Sequence, residues 1–287
     1  MKEILKNWNM ENELVELHYE SNGNKTWKIG SDYFLKYASN PEELKKSIGL
    51  NLALASVGVP VITYLKMLDD DVIYDKHYCL TKRINGENIK TASCVEVRIL
   101  GYETAKLHLS LSSLELDVNV SDNDFLNEWS GWIKPGLADV NEDMIQLVDE
   151  KLTKHYHKLK RSIIHRDVQF GNVMYEDGKF TGWLDFDLTR KDIRIFDLAY
   201  FLAGLLMDYL ETPEKENEWF AFYDSLIEGY QEIEKFTELE LEMIPVLIIA
   251  IELLFVAWCG EQGDISGRNG AEKIAVWVYK NLVIKGV

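Results

Sequence analysis

Residues 164–187 read IHRDVQFGNVMYEDGKFTGWLDFD, and this stretch decides the fold. An apolar pair leads into the polar, glycine-containing segment HRDVQFGN, which has the character of a loop. The apolar run at 173–175 leads out of that loop, residues 176–179 form a tight-turn signal, and 180–184 read as a returning strand. The sequence therefore predicts a loop followed by a β-hairpin.

Three side chains in this stretch carry oxygen atoms that can accept hydrogen bonds or bind a metal ion: Asp167, Asn172 and Asp185. The predicted hairpin would bring Asn172 and Asp185 close together, because one precedes its first strand and the other follows its second. Phosphoryl transfer from magnesium-bound ATP needs a carboxylate that orients the attacking hydroxyl and oxygen ligands that hold the metal. The three side chains supply that set.

The same residues resemble the aminoglycoside phosphotransferase and choline kinase superfamily. Its catalytic loop reads His, any residue, Asp, four further residues and Asn, which His165, Asp167 and Asn172 match. Asp185 matches the aspartate after the hairpin, and Asp197 matches one that precedes a Leu-Ala pair. The resemblance implies that Asp167 is the catalytic base and that Asn172 and Asp185 bind Mg²⁺, the expected cofactor.

Two positions near the loop have alternative interpretations. Asp197 opens the apolar run LAYFLAGLL, so it is either a helix N-cap or, as in the superfamily, a brace for the catalytic loop. Both interpretations are structural. Arg166 departs from the superfamily, which commonly has glycine there, and in protein kinases the same arginine serves a phosphorylated activation loop.

The resemblance implies an α+β, two-lobed protein-kinase-like fold, with a small antiparallel β-sheet N-lobe over residues 1–84 and a larger, mostly helical C-lobe over 85–287. Residues 14–20, 26–31 and 32–38 have the apolar patterns of three N-lobe strands. We expect a five-stranded N-lobe that binds ATP. From residue 193 onward, four segments have helical patterns, and the superfamily varies in this part with its substrate.

Lys36 is an isolated cation within the apolar strand and therefore needs either solvent or an anion. The superfamily has a lysine on this strand that pairs with the nucleotide phosphates, and we carry that role to Lys36. A glutamate on the next helix normally holds the lysine, but Ser47 occupies its position here. Glu43 lies one helical turn earlier and would reach the lysine if the helix shifts.

The segment VIYDKHYCLTKRINGENI, residues 72–89, reads as two strands that run into a polar stretch. It resembles the hinge of the kinase fold. That resemblance implies that backbone groups of Lys82 and Ile84 bind adenine and that Thr81 lines the back of the pocket, with the nucleotide cleft near residues 81–86.

Composition limits the possible partners and compartments. A formal charge of −17 argues against nucleic acid and anionic membranes as partners, because both are rich in negative charge. No secretory signal is visible in the first fourteen residues, and the three cysteines lack metal-ligand spacing, so a cytoplasmic location is expected. The apolar run 244–259 falls short of a membrane span and predicts a buried helix.

Acidic residues are concentrated between Asp208 and Glu242, where twelve carboxylates accompany only Lys215 and Lys235. They have two interpretations: solvated helix faces, or the lining of a pocket for a cationic substrate.

The resulting prediction is an ATP-dependent phosphotransferase that acts on a hydroxyl group of a small molecule, such as an aminoglycoside-like cation. A metabolic kinase for an amino alcohol, homoserine or a sugar is the alternative. A protein kinase is disfavoured, since the chain has DFD in place of DFG and no Ala-Pro-Glu after it. The alternative from another class is a nucleotide-binding pseudokinase with a regulatory role, suggested by Ser47.

Overall fold

The computed structural model describes residues 1–21, 23–114, 122, 124–137, 139–209 and 216–284. The chain divides into two compact units. Among the described residues, the first unit contains Met1–Ile89, Leu114 and Gly171–Asp187, and the second contains those of Lys90–Ser113, Val120–Phe170 and Leu188–Val287. The fold is α+β, as predicted, whereas the boundary near residue 84 stays a prediction.

A five-stranded antiparallel sheet forms most of the first unit, with the strand order β1-β2-β3-β5-β4. Its strands are β1 Val15–Ser21, β2 Asn24–Ile29, β3 Tyr33–Tyr37, β4 Thr63–Tyr64 and β5 Tyr78–Lys82. The three strands predicted near the N-terminus are confirmed. The two strands predicted within residues 72–89 are wrong in part: only β5 forms there, and Val72 and Ile73 pack against a buried apolar cluster instead.

Two helices complete the N-terminal part of this unit, α1 Lys2–Leu5 and α2 Pro41–Ser56. Helix α2 begins where the Asn40 side chain accepts a hydrogen bond from the Glu42 N–H, with Pro41 in the first turn. Its residues Leu44 and Ile48 pack with Tyr64 and Cys79 of the sheet. Burial of this apolar face fixes α2 beside strands β4 and β5.

The predicted hairpin is present in the first unit as β7 Val173–Glu176 and β8 Lys179–Trp183. Gly86 lies against it, with a φ of +100° and with the Tyr175 carbonyl oxygen 2.3 Å from the position that a Cβ atom would occupy. Only glycine fits this close backbone approach. Glu87 and Tyr175 then exchange backbone hydrogen bonds of 2.9 and 3.0 Å, which join the hinge segment to the hairpin.

The second unit is mostly helical. Its helices are α3 Cys94–Ser113, α4 Phe125–Glu128, α5 Glu142–His155, α6 Phe196–Tyr209, α7 Glu216–Gln231, α8 Glu238–Gln262 and α9 Ile265–Val278. Strands β6 Arg161–Ile164 and β9 Arg190–Ile193 pair in antiparallel fashion. The four helices predicted after residue 193 are confirmed as α6 to α9.

Helix α8 is longer than the apolar run 244–259 that predicted it. It begins at a capping box between Thr237 and Glu240 and ends at Gly263, whose φ is +73°. By length and composition it would suffice to cross a membrane, with a mean hydropathy of 2.3 over 18 residues. However, 72% of that window is buried within the protein, so the predicted buried helix is confirmed. The expectation that the run is too short for a span was wrong.

Candidate active site

The catalytic loop follows β6 in the second unit, and Asp197 holds its backbone. The Asp197 carboxylate accepts hydrogen bonds from the N–H groups of His165 at 2.9 Å and Arg166 at 2.7 Å. It also bonds His108 Nε2 at 2.9 Å. Asp197 is the second residue of α6 and is fully buried, so it braces the loop and is not an N-cap.

Arg166 adopts a φ of +70°, in the left-handed region that favours glycine. This geometry explains why glycine is common there in the superfamily. The arginine is held by its side chain: its guanidinium donates to Glu128, which also accepts from Arg190, and lies 4.8 Å from the centre of the Phe196 ring. These contacts offset the backbone strain and leave Arg166 buried.

Asp167 is half-buried at the tip of this loop. Its Oδ1 accepts a hydrogen bond of 3.0 Å from Gln169 Nε2, and its N–H donates to His165 Nδ1 at 3.3 Å. The Tyr200 hydroxyl also forms a hydrogen bond with the Asp167 carboxylate. The pKa of Tyr200 is raised mainly by burial and next by the charge of Asp167. The loop therefore presents a fixed, partly accessible carboxylate that can accept a proton from an acceptor hydroxyl.

Asn172 and Asp185 lie in the first unit at the two ends of the hairpin. The Asn172 carbonyl oxygen accepts a hydrogen bond of 2.8 Å from the Leu184 N–H, which ties the residue before Asp185 to Asn172. Asp185 is exposed and adopts a φ of +56°. The proximity predicted from the hairpin is thus present.

The ligand set at Asn172 and Asp185 fits a hard divalent cation. In the described part of the chain, no group of three or more His, Cys, Asp and Glu side chains is placed to hold a metal ion. A carboxylate with an amide oxygen matches the way that Mg²⁺ is bound, through few protein ligands together with substrate phosphates and water.

Lys36 lies in the middle of β3, paired in register with Thr26 on one side and Cys79 on the other. It forms no ion pair within 4.0 Å among the residues that the structure describes, and Glu43 is exposed. The pairing of Glu43 with Lys36, which the sequence left open, is therefore not made as a direct contact.

Asp187 is the carboxylate that sequence reasoning missed. Partial desolvation is the main cause that raises the pKa of Asp187, and the nearby Asp185 charge raises it further. The Lys36 ammonium and the Ser47 hydroxyl lower it. Asp187 is the third residue of DFD, where protein kinases have glycine. Ser47 departs from the superfamily pattern and Asp187 departs from the protein-kinase pattern, and the structure brings the two side chains together. The presence of both departures in one sequence was the available signal.

The predicted hinge residues occupy different environments. Thr81 is buried, and its hydroxyl donates to the Phe34 carbonyl oxygen at 3.2 Å. Lys82 and Ile84 line a pocket of about 360 Å³, and the other lining residues are Thr63, Arg83, Asn85, Glu176 and Thr181. Thr81 does not line this pocket. The roles of Thr81, Lys82 and Ile84 in adenine binding stay predictions.

The acidic region near α7 and α8 is more neutralised than its local sequence indicated. Arg98 pairs with Glu228 at 3.0 Å and Glu232 at 2.7 Å, and Arg194 pairs with Glu240 at 2.6 Å. Glu211, Glu214 and the side chains of Asp208 and Glu216 lie outside the described residues. Basic residues from outside residues 208–242 thus neutralise some of these carboxylates, which the count of charges within that segment did not reveal.

Several solved structures of small-molecule kinases have a similar fold. An amicoumacin kinase in complex with AMP-PNP, Ca²⁺ and Ami aligns with a TM-score of 0.71 at 16% identity, covering 93% of this chain and 88% of that one. A microcompartment-associated aminopropanol kinase aligns with a TM-score of 0.70 at 18% identity, covering 96% and 93%. The fold is therefore that of the two-lobed, protein-kinase-like class, as predicted.

The chain belongs to the phosphotransferase enzyme family, whose model matches residues 18–238. A homoserine kinase of Zymomonas mobilis subsp. mobilis is 28% identical over 234 residues, covering 76% of this chain and 71% of that protein. A homoserine kinase of Janthinobacterium sp. is 24% identical over 246 residues, covering 81% and 73%. The predicted small-molecule kinase activity is confirmed at the level of the family, and such kinases use a divalent metal.

Proposed function

We propose that this protein is a Mg²⁺-ATP-dependent kinase that phosphorylates the hydroxyl group of a small amino alcohol, with homoserine as the first candidate acceptor. The observation that carries the proposal is the catalytic loop, in which Asp197 fixes the backbone at 2.7 and 2.9 Å and Asp167 stays partly accessible. The choice of acceptor is supported by the likeness to homoserine kinases.

Each proposed role follows from the chemistry of the group. Asp167 accepts the proton of the acceptor hydroxyl as its oxygen bonds to the γ-phosphorus, and the bond to the ADP oxygen breaks. Asn172 and Asp185 would hold Mg²⁺, which neutralises phosphate charge when bound. Lys36 contacts the phosphates, and Asp187 with Ser47 keeps its ammonium in position.

Nucleotide binding is proposed for the hinge segment, where backbone groups of Lys82 and Ile84 would bond adenine and Thr81 would shape the pocket from its buried position. The three described cysteines carry no disulfide, which supports action in the cytoplasm, where ATP is available.

A cationic antibiotic of the aminoglycoside type is the second candidate acceptor. It is favoured by a pocket of about 430 Å³ whose lining includes Asp224, Glu228 and Glu242. Arg98 already pairs with one of these carboxylates, which places this candidate second.

The test is a steady-state assay of ADP release with Mg²⁺-ATP and separate acceptors: L-homoserine, 1-amino-2-propanol, a sugar and kanamycin. We expect an acceptor-dependent rate that Asp167→Asn lowers by about 100-fold or more, since general-base catalysis contributes about 10²–10⁴. Nucleotide binding, measured by calorimetry, should be retained in that variant. Equal loss of turnover and nucleotide binding would contradict the role of Asp167, and ATP binding without turnover for any acceptor would favour a regulatory nucleotide-binding protein.

A further inference from the structure

Glu252 is a buried carboxyl group that has no hydrogen-bond partner among the described residues. It lies in the middle of α8, and only 3% of its surface is exposed. It makes no hydrogen bond or ion pair with any residue that the structure describes, and burial raises its pKa well above the usual value. Burying a carboxyl group without a partner is costly, so its retention needs an explanation.

The surroundings of Glu252 connect it to the catalytic loop. Its charge contributes to the raised pKa of Tyr200, whose hydroxyl bonds Asp167. The ring of Tyr200 also lies 6.1 Å from the ring of Phe255, which is three residues after Glu252 on the same helix. Tyr200 therefore contacts the proposed catalytic base and lies near both Glu252 and the ring of Phe255, all within the second unit.

The side of α6 beside Tyr200 is open. Gly204 lies one helical turn after Tyr200 and is exposed. No heavy atom of the residues that the structure describes lies within 4 Å of the position that its Cβ would occupy. Phe255 is itself half-exposed. A small molecule can therefore approach the two rings from solvent.

We propose that Glu252, Tyr200 and Phe255 form the subsite for an ammonium group of the phosphoryl acceptor, whose hydroxyl is directed to Asp167. This inference rests on the proposed function and adds the group by which the acceptor is selected. A cation is favoured because it attracts both a carboxylate and the faces of aromatic rings, and the attraction increases where water is excluded.

The subsite predicts selectivity for amino alcohols over diols. A bound ammonium supplies the partner that Glu252 lacks, with the carboxyl proton released to solvent as the ion pair forms. A neutral hydroxyl or methyl group in the same place leaves the carboxyl group without a charged partner. We therefore expect the amine to bind at least about tenfold more tightly than its neutral analogue.

The experiment compares wild type, Glu252→Gln and the control Glu261→Gln, which removes an exposed carboxylate from the same helix. Calorimetric titration of 1-amino-2-propanol and of 1,2-propanediol, without nucleotide, measures the subsite directly. We expect Glu252→Gln to weaken amine binding by about 10- to 100-fold, the effect of losing a charged hydrogen bond, and to leave diol binding unchanged. Phe255→Leu, which keeps the apolar volume but removes the ring, should weaken amine binding about two- to fivefold.

Kinetics then separate this inference from the proposed function. With an amino alcohol that is phosphorylated, Glu252→Gln should raise KM and leave kcat within about twofold, because it removes a binding contact. Amine binding that depends on Glu252 without phosphorylation of any acceptor would contradict the proposed function and support the subsite. Equal binding of amine and diol, no binding of the amine to wild type, or equal amine binding in Glu252→Gln and wild type would overturn the inference.

Discussion

The Asp197 carboxylate accepts a hydrogen bond of 2.7 Å from the backbone N–H of Arg166. This bond connects the start of α6 to the residue that precedes the proposed catalytic base. Because Arg166 has a φ of +70°, the bond also stabilises a backbone conformation that an arginine rarely adopts. The position of Asp167 therefore depends on a residue thirty positions later in the chain.

We expect Asp197→Asn to destabilise the protein and to lower kcat together. The amide retains one acceptor oxygen but loses the charge that strengthens the bonds from His165, Arg166 and His108. Loss of a buried charged hydrogen bond costs about 1.5–3 kcal/mol, measured as the free energy of unfolding in urea. Asp224→Asn, at an exposed position, is the control. An unfolding free energy within about 0.5 kcal/mol of wild type would show that Asp197 does not brace the loop.

Asp187→Asn is expected to raise the KM for ATP by about two- to fivefold, since a partly exposed charge pair contributes up to about 1 kcal/mol. The reason is that the variant removes the carboxylate whose charge interacts with Lys36. Ser47→Ala should have a smaller effect in the same direction, because it removes only a hydroxyl contact.

Glu43→Gln serves as the matched control for Asp187, because Glu43 is exposed and forms no ion pair with Lys36 among the described residues. Steady-state kinetics with varied ATP would measure all three variants. A larger KM increase for Glu43→Gln than for Asp187→Asn would show that Glu43, and not Asp187, supports Lys36.

The stability of the protein should depend on pH through Glu252. Burial raises the pKa of Glu252, so the folded state holds this proton more tightly than the unfolded state does. The contribution of Glu252 to the free energy of unfolding is then lost progressively as the pH rises above the unfolded value of about 4.3.

Glu252→Gln keeps the group neutral and should avoid this loss. Urea unfolding between pH 4 and pH 8 should show the variant gaining stability relative to wild type as the pH rises. Tyr200 and Cys259 are titratable neighbours of Glu252, and both are present in wild type and variant. A stability difference that is constant with pH would mean that Glu252 titrates normally.

Gly204→Ala should stabilise the protein by about 0.5–1 kcal/mol, because glycine is unfavourable within a helix and an added Cβ would meet no atom of the described residues. Gly229→Ala provides the opposite case, since its Cβ would lie 2.0 Å from the Arg98 carbonyl oxygen. Thermal unfolding should show a higher Tm for the first variant and a lower Tm for the second. A lower Tm for Gly204→Ala would contradict the open space beside Tyr200.

Local patterns predicted the hairpin, the N-terminal strands and the four C-terminal helices, because strand and helix periodicity and turn residues act over short distances. They also predicted Asp167, Asn172 and Asp185, whose chemistry depends on spacing within one loop and one hairpin. The prediction of a second strand within residues 72–89 was wrong, because its apolar residues pack against a buried cluster without forming a strand. Periodicity alone cannot distinguish such a buried segment from a strand.

By itself, the sequence determined the fold class and the phosphotransferase class, and it predicted the residues proposed to carry the chemistry. Only the tertiary structure decided that Asp197 braces the loop, that Asp187 interacts with Lys36 and that Arg98 neutralises part of the acidic region. It also revealed Glu252, which in sequence is one polar residue in an apolar helix. The physical reason is that burial, charge pairing and the lack of a partner depend on residues distant in the chain, which only packing brings together.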